Sequence, residues 1–362
     1  MPLNIFSDKS YIPDGRGHIT LLYPFWGKNT ENPRDPATGR FDRYTETGNR
    51  FFQMTTLHEA DIAVFPGAWE HVIGDAAALE KAGQFIKNAR QSGKRTVIYF
   101  FSDSDDDIPY ENTIIFRTSL YRSRRKPNEF AMPAWSEDFI AKYHNGQLPI
   151  RQKKERPVVG FCGYAPPYKG MPLSFGQKLR SVIHGSRRLL KKLIGYKNAD
   201  SSVRTAALQV LAMNHQIDSN FIIREEFLGG ASPSSGKIDF EKMNRLRQEY
   251  MQNMIGSDYI LCARGGGNFS YRLYETLSCG RIPVFINTDC VLPYHAEINW
   301  KDYCVWVDET EVDRTAEKVV EFHKALSPED FVNLQKRCRK LWEDWLSPVG
   351  FFANFHRHFK IE

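Results

Sequence analysis

"DYILCARGGGNFSYRLYETLSCGRIPVFIN" (residues 258–287) runs from an apolar stretch into an arginine and three glycines, then into a segment with helical spacing and a second apolar stretch. The two apolar runs read as buried parallel strands, because a strand covered on both faces is continuously apolar rather than alternating. Between them Leu273 and Leu277 lie on one helical face, Asn268 or Ser270 can cap the helix start, and Gly280 marks its end. Strand, helix, strand at this spacing is a βαβ unit, so the stretch predicts a parallel α/β sheet. The glycines place bare backbone N–H groups beyond a strand's carboxyl end, where such sheets bind ligands.

Similar runs surround it. "PVVGFCG" (157–163), "NFIIREEF" (220–227) and "YCVWVD" (303–308) extend the pattern, while "HITLLYPF" (18–25), "ADIAVFPG" (60–67), "RTVIYFF" (95–101) and "TIIFRTS" (113–119) predict a second set of strands. Leu79, Ala82, Phe85, Ile86 and Ala89 recur at helical spacing before Gly93, which completes a βαβ unit in the first half. "GQLPIRQKKERP" (146–157) is polar, charged and bounded by prolines, the composition of a linker. The reading is therefore an α/β chain with one domain over 1–150, a second over 151–345, and a helical tail over 346–362 that packs across both.

The 362 residues suffice for two domains with their own cores. With 41% hydrophobic and 25% charged residues, the composition excludes a fibrous or disordered chain. The net charge of +6 favours anionic partners without naming one. No apolar run approaches the roughly 20 residues of a membrane span, and the N-terminus lacks a signal-peptide layout, so a cytoplasmic chain is expected. The six cysteines form no C-x-x-C pair and read as reduced, small hydrophobes.

The glycine corner has a definite chemistry. A helix N-terminus approached without side chains is a phosphate site, Arg264 adds a fixed charge at its mouth, and Glu275 can accept two hydrogen bonds from a ribose diol. The bland alternative is a tight turn, with Arg264 on the surface and Glu275 paired to Arg272 at i,i+3. Gly265, Gly267 and Ser270 also approximate a dinucleotide fingerprint with Asp289 downstream, although its third position is serine and Arg264 is foreign to it.

"DYILCARGGGNFSYRLYETLSCGRIPVFINTDCVLPY" (258–294) resembles the C-terminal signature of the exostosin family of glycosyltransferases: Cys-Pro-Arg-Gly, then Ser-x-Arg-Leu-x-Glu, Gly-Cys-Ile-Pro-Val and Leu-Pro-Phe. "INWKDYCVWV" (298–307), "VGFCG" and "KLRSVI" resemble further segments of that family, so the likeness covers about residues 157–310. It departs at Ala263, at Gly266 to Asn268, at Thr276 and at Arg281. The resemblance implies a GT-B architecture, two Rossmann-like domains facing a central cleft, and inverting transfer from a nucleotide sugar with no obligatory metal or other cofactor. Carried onto this chain, Arg180 and Arg264 would neutralise the donor diphosphate, Gly265, Gly266, Gly267, Asn268, Ser270 and Arg272 would line its site, and Glu275 would hold the ribose. A UDP-sugar donor and a glycan or lipid-linked glycan acceptor of cell-surface polysaccharide follow from the same likeness.

Glycosyl transfer also needs a base facing the donor. "SDSDDD" (102–107) offers Asp103 and Asp105, which alternatively match the Asp-x-Asp of metal-dependent GT-A enzymes or form a solvated loop; His58 is the imidazole candidate. "FRTSLYRSRRKP" (116–127) offers Arg117, Tyr121 and Arg122 to an anionic acceptor, or is a basic loop; it lacks the interleaved aromatics of a nucleic-acid platform. Residues 178–197 read as an amphipathic helix with a basic face, suited to covering the sheet or to resting at an inner membrane surface. A catalytically silent glycan- or nucleotide-binding homologue is the reading from another class.

Overall fold

The computed structural model describes residues 2–165, 199–231 and 238–359. Two parallel sheets organise it. The first contains β1 (Leu3–Phe6), β2 (Phe52–Met54), β3 (Ile62–Ala68), β4 (Thr96–Phe100), β5 (Thr113–Arg117) and β6 (Glu129–Ala131), in the order β2-β1-β3-β4-β5-β6. The second contains β7 (Val158–Tyr164), β8 (Asp218–Arg224), β9 (Tyr259–Cys262), β10 (Ile282–Asn287) and β11 (Val305–Asp308), in the order β11-β10-β9-β7-β8. β3, β4 and β5 are buried throughout, and β9 likewise, which is why these runs carry no polar alternation.

The first half departs from expectation at its start. "HITLLYPF" is a 3-10 turn, Thr20–Leu22, followed by the short helix Tyr23–Trp26. Its apolar side chains are buried as they would be in a strand, and Pro24 enters the first helical turn, where its missing N–H costs nothing. The leading strand is instead β1, and β2 and β6 are edge strands of 4 residues or fewer, too short for a periodic signal. Pro66 lies inside the central β3, where a prolyl ring removes a ladder donor; the register with β4 shifts between Val64 and Ala68, and the Pro66 carbonyl instead accepts the Ile19 amide at 2.9 Å.

The linker is pinned to the second half rather than loose. Gln335 donates to the Arg151 carbonyl and accepts from its amide, and Arg151 meets the buried Asp258, which also accepts the Val158 amide at 2.8 Å. Arg281, one of the departures from the family signature, is fully buried and spends its guanidinium on the carbonyls of Cys279, Gly280, Pro149 and Ile255. Burial, aided by the like charge of Arg151 and opposed by Asp258, lowers its pKa to about 10.

The end of the chain crosses back to the first sheet. The helix Pro328–Leu341 runs into a π-turn, Trp342–Leu346, and breaks before the helix Pro348–Ala353. Phe352 stacks on Tyr44 at 4.2 Å and Phe355 on Phe116 at 4.9 Å, while the Trp135 indole donates to the Leu346 carbonyl at 3.0 Å. One hydrophobic cluster therefore contains side chains of both sheets. The loops that follow β4 and β5 meet those that follow β9 and β10, so the carboxyl edges of the two sheets face each other. This is the GT-B arrangement that the family resemblance implies. All six cysteines are buried and unpaired, and among the described residues no helix is long and apolar enough to cross a membrane.

Candidate functional site

The site is built where β9 ends. After Cys262 the chain passes Ala263 and Arg264 into the glycines, and the Gly265 amide closes the loop on the Phe269 carbonyl at 3.3 Å. Close approach, not unusual backbone angles, requires the glycine at 267 and crowds the one at 266. A β-carbon at Gly266 would stand 2.7 Å from Asp103 Oδ2, and one at Gly267 would stand 2.7 Å from the Phe269 ring and 2.8 Å from the Asp103 Cα. Ser270 holds the N-cap position of the helix Tyr271–Ser278, but its hydroxyl makes no capping bond. The hydroxyl at this helix start is not spent on the backbone.

Three arginines converge on this corner. Arg264 donates to the Tyr121 hydroxyl of the facing half. Arg272 lies 4.4 Å over the Phe161 ring and donates to the Cys162 carbonyl at 2.9 Å, so it does not pair with Glu275. Arg204, on the helix Ala199–Met213, donates to the carbonyls of Tyr164 and Arg264. No carboxylate among the described residues pairs with Arg204 or Arg272, and both keep a buried Nε with no partner. Burial, together with the like charge of Arg272, lowers the Arg204 pKa to about 10.

Arg204 escaped the sequence reading because nothing in "DSSVRTAALQVLAM" separates it from a solvated helical arginine. Only the fold carries that helix to the ends of β7 and β9. Arg180, together with the basic stretch 178–197, lies outside the described residues.

Two residues expected at the donor are committed elsewhere. Asn268 is fully buried: its amide donates to Ser119 Oγ at 2.9 Å, its side chain to the Leu120 carbonyl at 3.4 Å, and its Oδ1 accepts from Thr288 at 2.7 Å. It joins the two halves, beside the bridge between Tyr121 and Cys290. Glu275 is 4% exposed; Arg247 donates to its Oε1 at 2.8 Å and the Tyr250 hydroxyl to its Oε2. Arg247 also makes two bonds to the buried Glu137, at 2.7 and 2.8 Å. In spite of its burial Arg247 is held more firmly protonated than usual by these two carboxylates. Glu275 is thus the inner member of a buried carboxylate–guanidinium–carboxylate set and presents no free edge to a diol. Asp289, the ribose candidate of the dinucleotide alternative, accepts from the amide and hydroxyl of Ser123.

The first-half candidates also separate. Asp103 is exposed and faces the glycine loop, but Asp105 pairs with Arg124 and Asp107 with Lys126. Among the described residues no three His, Cys, Asp or Glu side chains are grouped as metal ligands. His58 is exposed and precedes β3, whose start is in register with the starts of β4 and β5, so it lies at the edge away from Asp103. Arg117 is 3% exposed and ion-paired to Glu129 at 2.8 Å, a strut of the first sheet rather than an acceptor contact. Tyr121 and Arg122 do reach the seam: the Tyr121 ring has Arg124 at 4.8 Å, and the Arg122 amide donates to the Asp289 carbonyl at 2.8 Å. A cavity of about 150 Å³ lies between these loops, walled by Asp105, Tyr121, Arg124 and Lys126.

Known proteins resemble the chain in this half. Residues 203–322 match the exostosin GT47 domain. Exostosin-1 of Drosophila melanogaster is 29% identical over 103 residues, 28% of this chain and 13% of its own. A probable glucuronosyltransferase of Oryza sativa subsp. japonica is 42% identical over 65 residues, 18% of this chain and 15% of its own. A probable beta-1,4-xylosyltransferase of Arabidopsis thaliana is 41% identical over 63 residues, 17% of this chain and 15% of its own. The matched segment is therefore a small part of each relative. Among solved structures TarM is similar with a TM-score of 0.31 and 6% identity, covering 74% of this chain and 55% of that one. By the segment that holds the glycine loop and its arginines, the chain is similar to the exostosin family of glycosyltransferases.

Proposed function

We propose that the protein is an inverting glycosyltransferase that moves a sugar from a nucleotide sugar, a UDP-sugar in the first instance, to a glycan or lipid-linked glycan hydroxyl without a metal ion. The observation that carries this reading is the pair Arg204 and Arg272, two half-buried cations, each with a buried Nε and no carboxylate partner among the described residues, beside the glycine loop. As the bond to the anomeric carbon breaks, charge grows on the departing diphosphate. Fixed guanidinium groups and loop amides stabilise that charge without reorganising, which lowers the barrier more than the same groups could in water. Arg264 joins them from the mouth of the loop. The neutralisation of Asp105 by Arg124 favours arginines over a cation as the source of positive charge.

Calorimetric titration with UDP, GDP, CMP and NAD, with and without EDTA, tests this reading. EDTA-insensitive binding of one nucleoside diphosphate is the expected result. A requirement for metal would move the donor site to residues 102–107, and binding of no nucleotide would favour a silent homologue.

A further inference from the structure

Transfer requires a group in the first half that can take the acceptor proton and is not already neutralised by a cation. Asp105 and Asp107 are ion-paired, and His58 lies at the far edge. Asp103 packs on Gly266 and Gly267, the loop that the reading above gives to the donor phosphates. His71 keeps a sealed Nδ1 without a partner, and burial lowers its pKa, which weakens it as a base.

Glu70 meets the requirement. It occupies the turn Trp69–His71 directly after β3, on the carboxyl edge that faces the second half. Its Oε2 accepts the Phe101 amide at 3.0 Å, which fixes the carboxylate on the same edge as the loop after β4. It is half-buried, and no cation among the described residues pairs with it. Glu70 is therefore a half-buried carboxylate held by a backbone amide on the edge that faces the second half, with no cation among the described residues to neutralise it.

We infer that Glu70 is the general base of this site, an assignment that rests on the glycosyl-transfer reading above. The acceptor hydroxyl gives its proton to the Glu70 carboxylate while its oxygen bonds to the anomeric carbon. The bond from that carbon to the diphosphate breaks, and its electron pair leaves with the nucleoside diphosphate. Burial, opposed by the Glu70 and Phe101 amides, raises the Glu70 carboxyl above the usual carboxylate range, which strengthens it as a base.

The test uses the full chain and a panel of UDP-sugars, following UDP release to water and to azide. Glu70→Gln is expected to slow release to water by about 100-fold or more while UDP affinity stays within about two-fold. Azide, a nucleophile with no proton to lose, is expected to restore turnover in Glu70→Ala as the glycosyl azide. Water turnover retained in Glu70→Gln would overturn the assignment alone, as would a loss of rate with no azide rescue. A wild-type chain that binds no nucleoside diphosphate would overturn the glycosyl-transfer reading and this one together.

Discussion

Asp103 and Gly267 touch across the two halves of the molecule: a β-carbon on Gly267 would stand 2.8 Å from the Asp103 Cα and 2.9 Å from its Oδ1. The contact involves backbone, so neither partner can turn away.

Gly267→Ala is therefore expected to force the loop after β4 away from the loop after β9. Overpacking of this kind costs about 1–3 kcal/mol. Thermal unfolding of the variant should show that loss, and an unchanged midpoint would mean that the two loops separate freely.

Among the described residues Arg204 and Arg272 make only carbonyl and ring contacts. Arg204→Met and Arg272→Met should each weaken nucleoside diphosphate binding by about 1.5–3 kcal/mol, the worth of a charge-assisted hydrogen bond, and still unfold cooperatively. Calorimetry on the two variants decides; affinity equal to that of the unaltered protein would remove the arginine from the donor site.

Glu275 behaves differently because it is a buried partner of Arg247. Glu275→Gln leaves the Arg247 charge with Glu137 alone and replaces one of the two oxygens that accept from Arg247 and Tyr250 by a donor. Because Arg247 keeps Glu137, a loss of about 1.5–3 kcal/mol in unfolding free energy is expected, the worth of a hydrogen bond to a charged group. A variant of full stability that loses only nucleotide affinity would return Glu275 to the ribose.

His358 is the acid-sensitive point of the tail. Burial, aided by the positive charge of neighbouring His295, Arg125 and His356, lowers its pKa from 6.5 to about 3, and its Nε2 is sealed without a partner. The unfolded chain binds this proton near pH 6.5 and the folded chain only near pH 3, so stability is complete above pH 6.5 and is lost as pH falls towards 3. The slope is about 1.4 kcal/mol per pH unit at most. Denaturant unfolding between pH 7 and 4 should show a shallower loss for His358→Leu; equal slopes would place the acid sensitivity at other histidines.

The apolar runs and their spacing were enough to determine two parallel α/β sheets, because a strand buried on both faces writes a continuous apolar word and a crossover helix writes a period of 3.6. The glycines marked a turn in the same way, but what approaches Gly267 so closely, the Asp103 backbone, was left to the fold. "HITLLYPF" was not decidable in this way: a buried turn and a buried strand hide the same side chains. β1, β2 and β6 were too short to show a period at all.

What each charged group does was left to the tertiary structure. Arg117, Glu275 and Asp105 carry the same chemistry in the sequence as Arg204 and Glu70, yet the first three are neutralised by partners from 12 to 28 residues away. Arg204 and Glu70 have no such partner among the described residues. Local sequence specifies a side chain's charge and the element that carries it. Whether that charge is cancelled or held ready depends on which distant segment the fold packs beside it, and no spacing rule records that.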